Sequence, residues 1–348
     1  MTETHTTSSD IDPALLQQIR EAQALREQLQ GRQHTDTEIR RLVSELGARR
    51  IAGRPYGIES SDTIVPGAWH DVPVRIYRRS ATAKPRRLMM YFHGGGWTTG
   101  SIETHDALCA HIAHRCDHIV ISVGYRLAPE HSFPAQNDDA IAATLWALQN
   151  RREFGITASA GWTMAGDSAG AHLAIASTLQ LQEHHFPVCD SLLLFYPPIA
   201  PVVSTESRDR YRSGPGLTVN TMEEFWHYYA GSPAEGVVDR PTGNHHRKGS
   251  DSFSDPRLDL RRWPGLNKLP PCVIMTAEHD ILRDEGEFFA RLLKEHGNDV
   301  QCLRAAGMPH GFARMLNASA RARDHVDAAC ARFLALQPLT RGKRTLFE

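Results

Sequence analysis

The chain has 348 residues, a formal net charge of -1 and an apolar share of 41%. That length allows one or two domains with a large core. The balanced charge gives no reason to expect nucleic acid or an anionic membrane surface as partner, and no apolar run reaches the ~20 residues of a membrane span.

The opening MTETHTTSSDID lacks a basic end followed by an apolar stretch, so residues 1–12 read as a disordered leader rather than a secretory signal. Asp12-Pro13 reads as an N-cap and first helical position. Leu15, Ile19, Ala22, Leu25 and Leu29 then recur at helical spacing up to Gly31. Thr35 with Glu38 predicts a capping box for a second amphipathic helix carrying Ile39, Leu42, Val43 and Leu46, closed by Gly47. These helices come before any strand signal.

Residues 72–78, VPVRIYR, alternate as a half-exposed antiparallel strand does. The runs at 88–92, 118–123, 162–165, 191–196 and 272–277 are continuous and apolar, the pattern of strands buried on both faces. Helical patterns at 105–115, 137–150, 169–182 and 284–296 separate them, which predicts a mostly parallel sheet wrapped by helices on both sides. Residues 198–262 break the rhythm with a helix around TVNTMEEFWHYYAG and a polar stretch beyond it, an insertion of the kind that caps a site or loops over the surface. The last residues, RGKRTLFE, read as a loose tail.

Six cysteines are scattered without a Cys-x-x-Cys pair, and Cys109 and Cys116 lie two helical turns apart, about 10 Å. Free buried thiols in a reducing cytoplasm are the expectation. His245-His246 sits in a polar loop and does not argue for a metal.

Gly166-Asp167-Ser168-Ala169-Gly170 stands between an apolar strand and a helical pattern, the context of a nucleophile elbow. So tight a turn admits only small residues beside the serine, and it aims a helix N-terminus at the reacting centre. A serine hydroxyl needs a base, and in this context the chain order is serine, acid, histidine. His310, in the loop of GMPHGFARM, is the candidate base, with His279 as an alternative. Glu278, Asp280, Asp284 and Glu285 follow the 272–277 strand. Asp280 is preferred because Asp284 and Glu285 suit the first turn of the next helix. The run His93-Gly94-Gly95-Gly96-Trp97 ends another strand. A flexible connector explains it poorly. Bare backbone N–H groups aimed at a carbonyl oxygen explain it well, with the N–H of Ala169 as a further donor.

Together with Tyr125-Arg126-Leu127-Ala128-Pro129-Glu130, the segment from Asp280 to Glu285 and His310-Gly311-Phe312, these blocks make residues 60–335 resemble the hormone-sensitive-lipase family of α/β-hydrolases, nearest its bacterial acetyl esterase branch. The resemblance implies an α/β-hydrolase core over 59–197 and 263–338 and a helical cap built from residues 13–58 and the insertion 198–262, with 339–348 as the tail. It implies Ser168, Asp280 and His310 as the catalytic triad. Gly95, Gly96 and Ala169 would form the oxyanion hole, with Gly94 a further candidate, and His93, Gly166, Asp167 and Gly170 would support the motifs. It further implies a serine esterase acting on short acyl esters, needing no metal or organic cofactor, as a monomer or homodimer. The alternatives are an amidase, formamidase or carbamate hydrolase with the same triad, or a non-catalytic ligand-binding protein on this fold. Two departures from the family stand out: Gly124 replaces an aspartate usual before the Tyr-Arg block, and the polar insertion near 232–254 is long. Phe225, Trp226, Tyr228 and Tyr229 read either as cap packing or as a substrate wall.

Overall fold

A computed structural model describes residues 10–30, 34–66, 70–80, 87–157, 160–231 and 253–336. Most of the leader, Gly31, the polar stretch with His245-His246 and the tail lie outside these residues.

Eight strands form one sheet: β1 (Ile58–Val65), β2 (Val72–Arg79), β3 (Leu88–Phe92), β4 (Ile119–Val123), β5 (Trp162–Asp167), β6 (Leu192–Phe195), β7 (Cys272–His279) and β8 (Val300–Pro309). Their spatial order is β1-β2-β4-β3-β5-β6-β7-β8. β2 runs antiparallel to both of its neighbours, and every pair from β4 through β8 is parallel.

The apolar runs become two-sided strands by simple alternation. Leu88, Met90 and Phe92 of β3, with Ile119, Ile121 and Val123 of β4, face one core. They meet α4 (Ala135–Gln149), α5 (Ala169–Glu183) and α8 (Arg283–Glu295). Met89 and Tyr91, with Val120, face the other core, against α3 (Asp106–Cys116) and α9 (Ala320–Leu336). All six cysteines are free thiols, and all but Cys302 are buried.

The leading helices are α1 (Pro13–Leu29) and α2 (Asp36–Arg50). Asp12 caps α1 by accepting from the N–H groups of Ala14 and Leu15, and Thr35 with Glu38 forms the reciprocal capping box of α2. Gly47 does not close α2, as the sequence pattern suggested. The helix runs on to Arg50 because its other residues favour helix, and Gly47 faces open space on the cleft side. A short α6 (Glu206–Arg210) and the helix α7 (Val219–Ala230) come from the insertion. The strand β1 had no counterpart among the sequence expectations, which gave residues up to 58 to the cap and named no strand before 72.

Sheet order sets where chemistry can occur. β3 has β4 on one side and β5 on the other, so the chain reverses its winding direction there. Crevices at the carboxyl ends of strands beside such a reversal are where open α/β sheets hold ligands.

Candidate active site

Strand register alone brings the predicted residues together. Phe92 of β3 lies opposite Gly166 of β5, so the loop from Gly94 to Gly96 leaves the sheet beside Ser168. His279 of β7 lies opposite Pro309 of β8, so the next residues, Asp280 and His310, emerge side by side. His310 Nδ1 is 2.6 Å from Asp280 Oδ2, and His310 Nε2 is 2.9 Å from Ser168 Oγ. Asp280 is buried, and its other oxygen accepts from the N–H of Leu282 at 3.0 Å. With Nδ1–H committed to a carboxylate, Nε2 is the ring atom left to accept the serine proton. The alternatives are placed elsewhere: His279 packs against the Tyr211 ring, while Asp284 bonds Arg283 and the backbone of Ser207.

Ser168 sits at φ 51°, ψ -125°, between β5 and α5. A non-glycine residue at positive φ is uncommon and strained. Here packing from both sides holds it. A Cβ at Gly166 would lie 2.4 Å from the carbonyl oxygen of Gly170, and one at Gly170 would lie 1.9 Å from that of Phe92. Both glycines are therefore required by backbone contact. The first N–H groups of a helix have no intrahelical acceptor, and that of Ala169, next to the serine, has none among the described residues. The N–H groups of Gly95 and Gly96 are likewise without an acceptor among the described residues. Thr98 and Thr99 hold the turn by donating their N–H groups to the Gly95 carbonyl at 3.2 and 2.9 Å. Gly95 has φ 121°, a conformation side chains resist, and a Cβ there would lie 2.2 Å from the Thr99 carbonyl oxygen.

Gly94 behaves differently. Its N–H donates to Asp167 Oδ1 at 2.9 Å, and its α-carbon faces that carboxylate. Unlike Gly95 and Gly96, Gly94 therefore has no free hydrogen to offer an oxyanion. Asp167 is the strut between the two loops. Its Oδ1 also accepts from Tyr91 Oη at 2.8 Å, and His105 Nε2 lies 3.2 Å from the same oxygen. Burial works against the charged carboxylate. His105, Tyr91 and the Gly94 N–H outweigh it and hold the pKa down at about 2. The roles of His105 and Tyr91 were not anticipated from sequence.

His93 braces the glycine run from behind. Its ring stacks on Tyr125 at 4.2 Å, Tyr125 Oη donates to the His93 carbonyl, and Nδ1 donates to the Gly94 carbonyl at 2.9 Å. Burial, with His105 nearby, pushes its pKa down to about 3, so the ring is neutral at pH 7. Arg126 clasps Asp139 through both carboxylate oxygens. At Gly124 a Cβ would meet Pro73 and Ile102 at 3.0–3.2 Å, so even a small side chain would be crowded there.

Over the strand ends lies a cleft of about 280 Å³ lined by Ser168, His310 and residues of α1, α2 and α7. The four cap aromatics divide between the two readings. Trp226 and Tyr229 are buried against Trp97, whose ring stacks on Tyr229 at 4.3 Å. Phe225 lines the cleft, and Tyr228 does not. His172, on α5 beneath these rings, is kept neutral by burial, its pKa lowered to about 3.

The comparisons agree with this fold. A family model for the alpha/beta hydrolase fold matches residues 89–314. An arylesterase of Saccharolobus solfataricus is 33% identical over 79% of this chain and 83% of its own. An ethyl acetate hydrolase of Pseudomonas putida is 33% identical over 71% and 73%. Among solved structures, the hyperthermophilic esterase of the archaeon Pyrobaculum calidifontis superposes with a TM-score of 0.79 at 31% identity, covering 93% of this chain and 98% of that one. Fold, motif order and sequence likeness all lead to one conclusion: this chain belongs to the α/β-hydrolase family, in its hormone-sensitive-lipase-like branch.

Proposed function

We propose that the protein is a serine carboxylesterase that hydrolyses short acyl esters through an acyl-enzyme. The observation that carries this reading is the hydrogen-bonded line from Asp280 through His310 to Ser168, with links of 2.6 and 2.9 Å. Beside it stand Gly95, Gly96 and Ala169, whose backbone N–H groups have no acceptor among the described residues. The likeness to the arylesterase and the ethyl acetate hydrolase supports an ester as the bond cleaved.

In this mechanism His310 takes the proton of Ser168 as Oγ attacks the ester carbonyl. Asp280 fixes the imidazole tautomer and stabilises its cation. The carbonyl oxygen, now negative, is held by the N–H groups of Gly95, Gly96 and Ala169. Each such donor is worth roughly 3 kcal/mol in the transition state. His310 gives its proton to the leaving alcohol, then activates water against the acyl-enzyme, and the acid departs. Because a protonated imidazole cannot act as base, turnover falls toward acidic pH. The modest cleft favours short acyl groups, and free thiols suit a reducing compartment.

The test is turnover of p-nitrophenyl esters from acetate to palmitate, with Ser168→Ala as control. We expect the highest kcat/KM at acetate to hexanoate and a loss of about 10⁴-fold or more in the variant. A maximum at ten or more carbons would remove the short-chain assignment. Normal turnover by Ser168→Ala would remove the nucleophile. A matched anilide, cleaved as fast as the ester, would move the enzyme to the amidases.

A further inference from the structure

Three guanidinium groups line the cleft beside Ser168: Arg26 on α1, Arg40 on α2, and Arg314 in the turn that follows His310. Among the described lining residues, Asp167 is the only carboxylate. Its Oδ1 accepts from Tyr91 and Gly94, and its Oδ2 has His105 Nε2 at 3.4 Å and Tyr196 Oη at 3.5 Å. Neither lysine nor any further carboxylate lines the cleft among the described residues, so guanidinium groups outnumber carboxylates there three to one.

The arginines are not used up by their protein partners. Arg40 pairs with Glu224 of α7 through one terminal nitrogen, and Arg26 reaches Asp36 at 3.7 Å. In both, the Nε–H is buried without a hydrogen-bond partner among the described residues. Arg314 has no carboxylate within ion-pair distance among the described residues. Its guanidinium donates to Ser44 Oγ of α2 at 3.2 Å, and its Nε lies close to Gly311, the residue next to His310. Buried donors on charged groups are rarely left unmade in a folded protein. A cleft walled by low-dielectric protein and carrying one sign of charge concentrates ligands of the opposite sign. A planar carboxylate is the small anion that best matches the guanidinium fork, and a cleft of about 280 Å³ accommodates a small molecule.

We infer that the substrate of this site is a short ester that also bears a carboxylate, with Arg314 as the specificity-determining contact and Arg26 and Arg40 shaping the same positive wall. This inference rests on the esterase reading. The carboxylate can stand on the acyl side, as in the monoester of a short dicarboxylic acid. It can also stand on the alcohol side, as in an O-acetylated hydroxy acid.

The experiment compares kcat/KM for each anionic ester with its neutral counterpart, the diester or the methylated acetoxy ester, each normalised to its alkaline hydrolysis rate. We expect at least one anionic ester to exceed its neutral counterpart by about tenfold at low ionic strength. The pair that shows the excess identifies the side on which the carboxylate sits. Arg314→Gln should reduce that ratio about tenfold, mainly through KM, and Arg314→Lys should retain part of it. Raising the salt to about 0.5 M should shrink the wild-type ratio. If Arg314→Gln does not fold, the salt dependence decides. An anionic ester no better than its neutral partner on both sides, a ratio untouched by Arg314→Gln, or a ratio indifferent to salt would overturn the inference. Failure of the esterase reading looks different: no turnover of any ester, and no labelling of Ser168 by an organophosphate.

Discussion

The floor of the cleft and its cap are built by different means. On the floor, each reacting group is the first residue beyond a strand, and register between neighbouring strands decides its position: Ser168 after β5, Asp280 after β7, His310 after β8. On the cap, position depends on side chains. Arg40 pairs with Glu224 and lies over the Phe225 ring at 5.3 Å. Arg41 reaches from α2 to the carbonyls of Thr98 and Ala128 and to Glu130, and Tyr229 stacks on Trp97. The contrast teaches that the chemistry is carried by backbone geometry that tolerates almost no substitution. On the proposed reading, selection of substrate falls to the side chains of the cap.

The predictions test this division, beginning with the floor. Asp280→Asn should lower kcat by about 10³–10⁴-fold with the fold intact, because an amide favours the wrong tautomer of His310. A loss under tenfold would mean that the carboxylate is not the orienting group. Gly96→Ala comes next. A Cβ there would lie 2.0 Å from a ring carbon of Phe225, so floor and cap collide at this residue. We expect a loss of about 10²-fold or more in kcat as the donor is displaced. Adding Phe225→Ala should restore part of it, and no restoration would show that the backbone conformation alone sets the effect.

Glu285 lies under the floor, fully buried, with Oε1 accepting from the Ile199 N–H at 2.8 Å. Burial pushes its pKa up to about 8 from 4.5. A raised folded pKa means that its contribution to stability is complete below about 4.5 and is lost as pH rises through 8. Glu285→Gln keeps the acceptor and removes the ionisation. The variant should therefore gain on the order of 2–4 kcal/mol relative to wild type between pH 4.5 and 8 in denaturant titrations. A pH-independent difference would contradict this. The smallest effect is expected at Arg50, whose pair with Glu21 is half exposed on the outer surface of the leading helices. Arg50→Ala should change stability by no more than about 0.5 kcal/mol and leave kcat/KM as it was.

The same division explains what could be read from the residues alone. Parallel strands buried on both faces must be continuous apolar runs, so β3 and β4 were legible almost to the residue. Ser168 announced itself through glycines that backbone contact requires. β1 was not legible, because an edge strand reading IESSDTIV leaves most of its residues partly or fully exposed and carries no apolar run. Gly47 misled because glycine often ends helices, yet the residues around it sustain one. The cradle of Asp167 depends on Tyr91 and His105 reaching it from other elements, 76 and 62 residues away in the chain. Such a meeting follows from strand order, which local pattern does not specify. The committed hydrogen of Gly94 was hidden for the same reason.

The reach of the Ser168–His310 bond has a consequence for how the molecule matures. The two residues are 142 positions apart, and β6, β7 and β8 must all be added to the sheet before they can meet. Until β8 is in place His310 does not stand beside Ser168, and the serine has no base. Acquisition of hydrolytic power is thus coupled to docking of the last strand, and an incomplete chain is kept chemically silent until then.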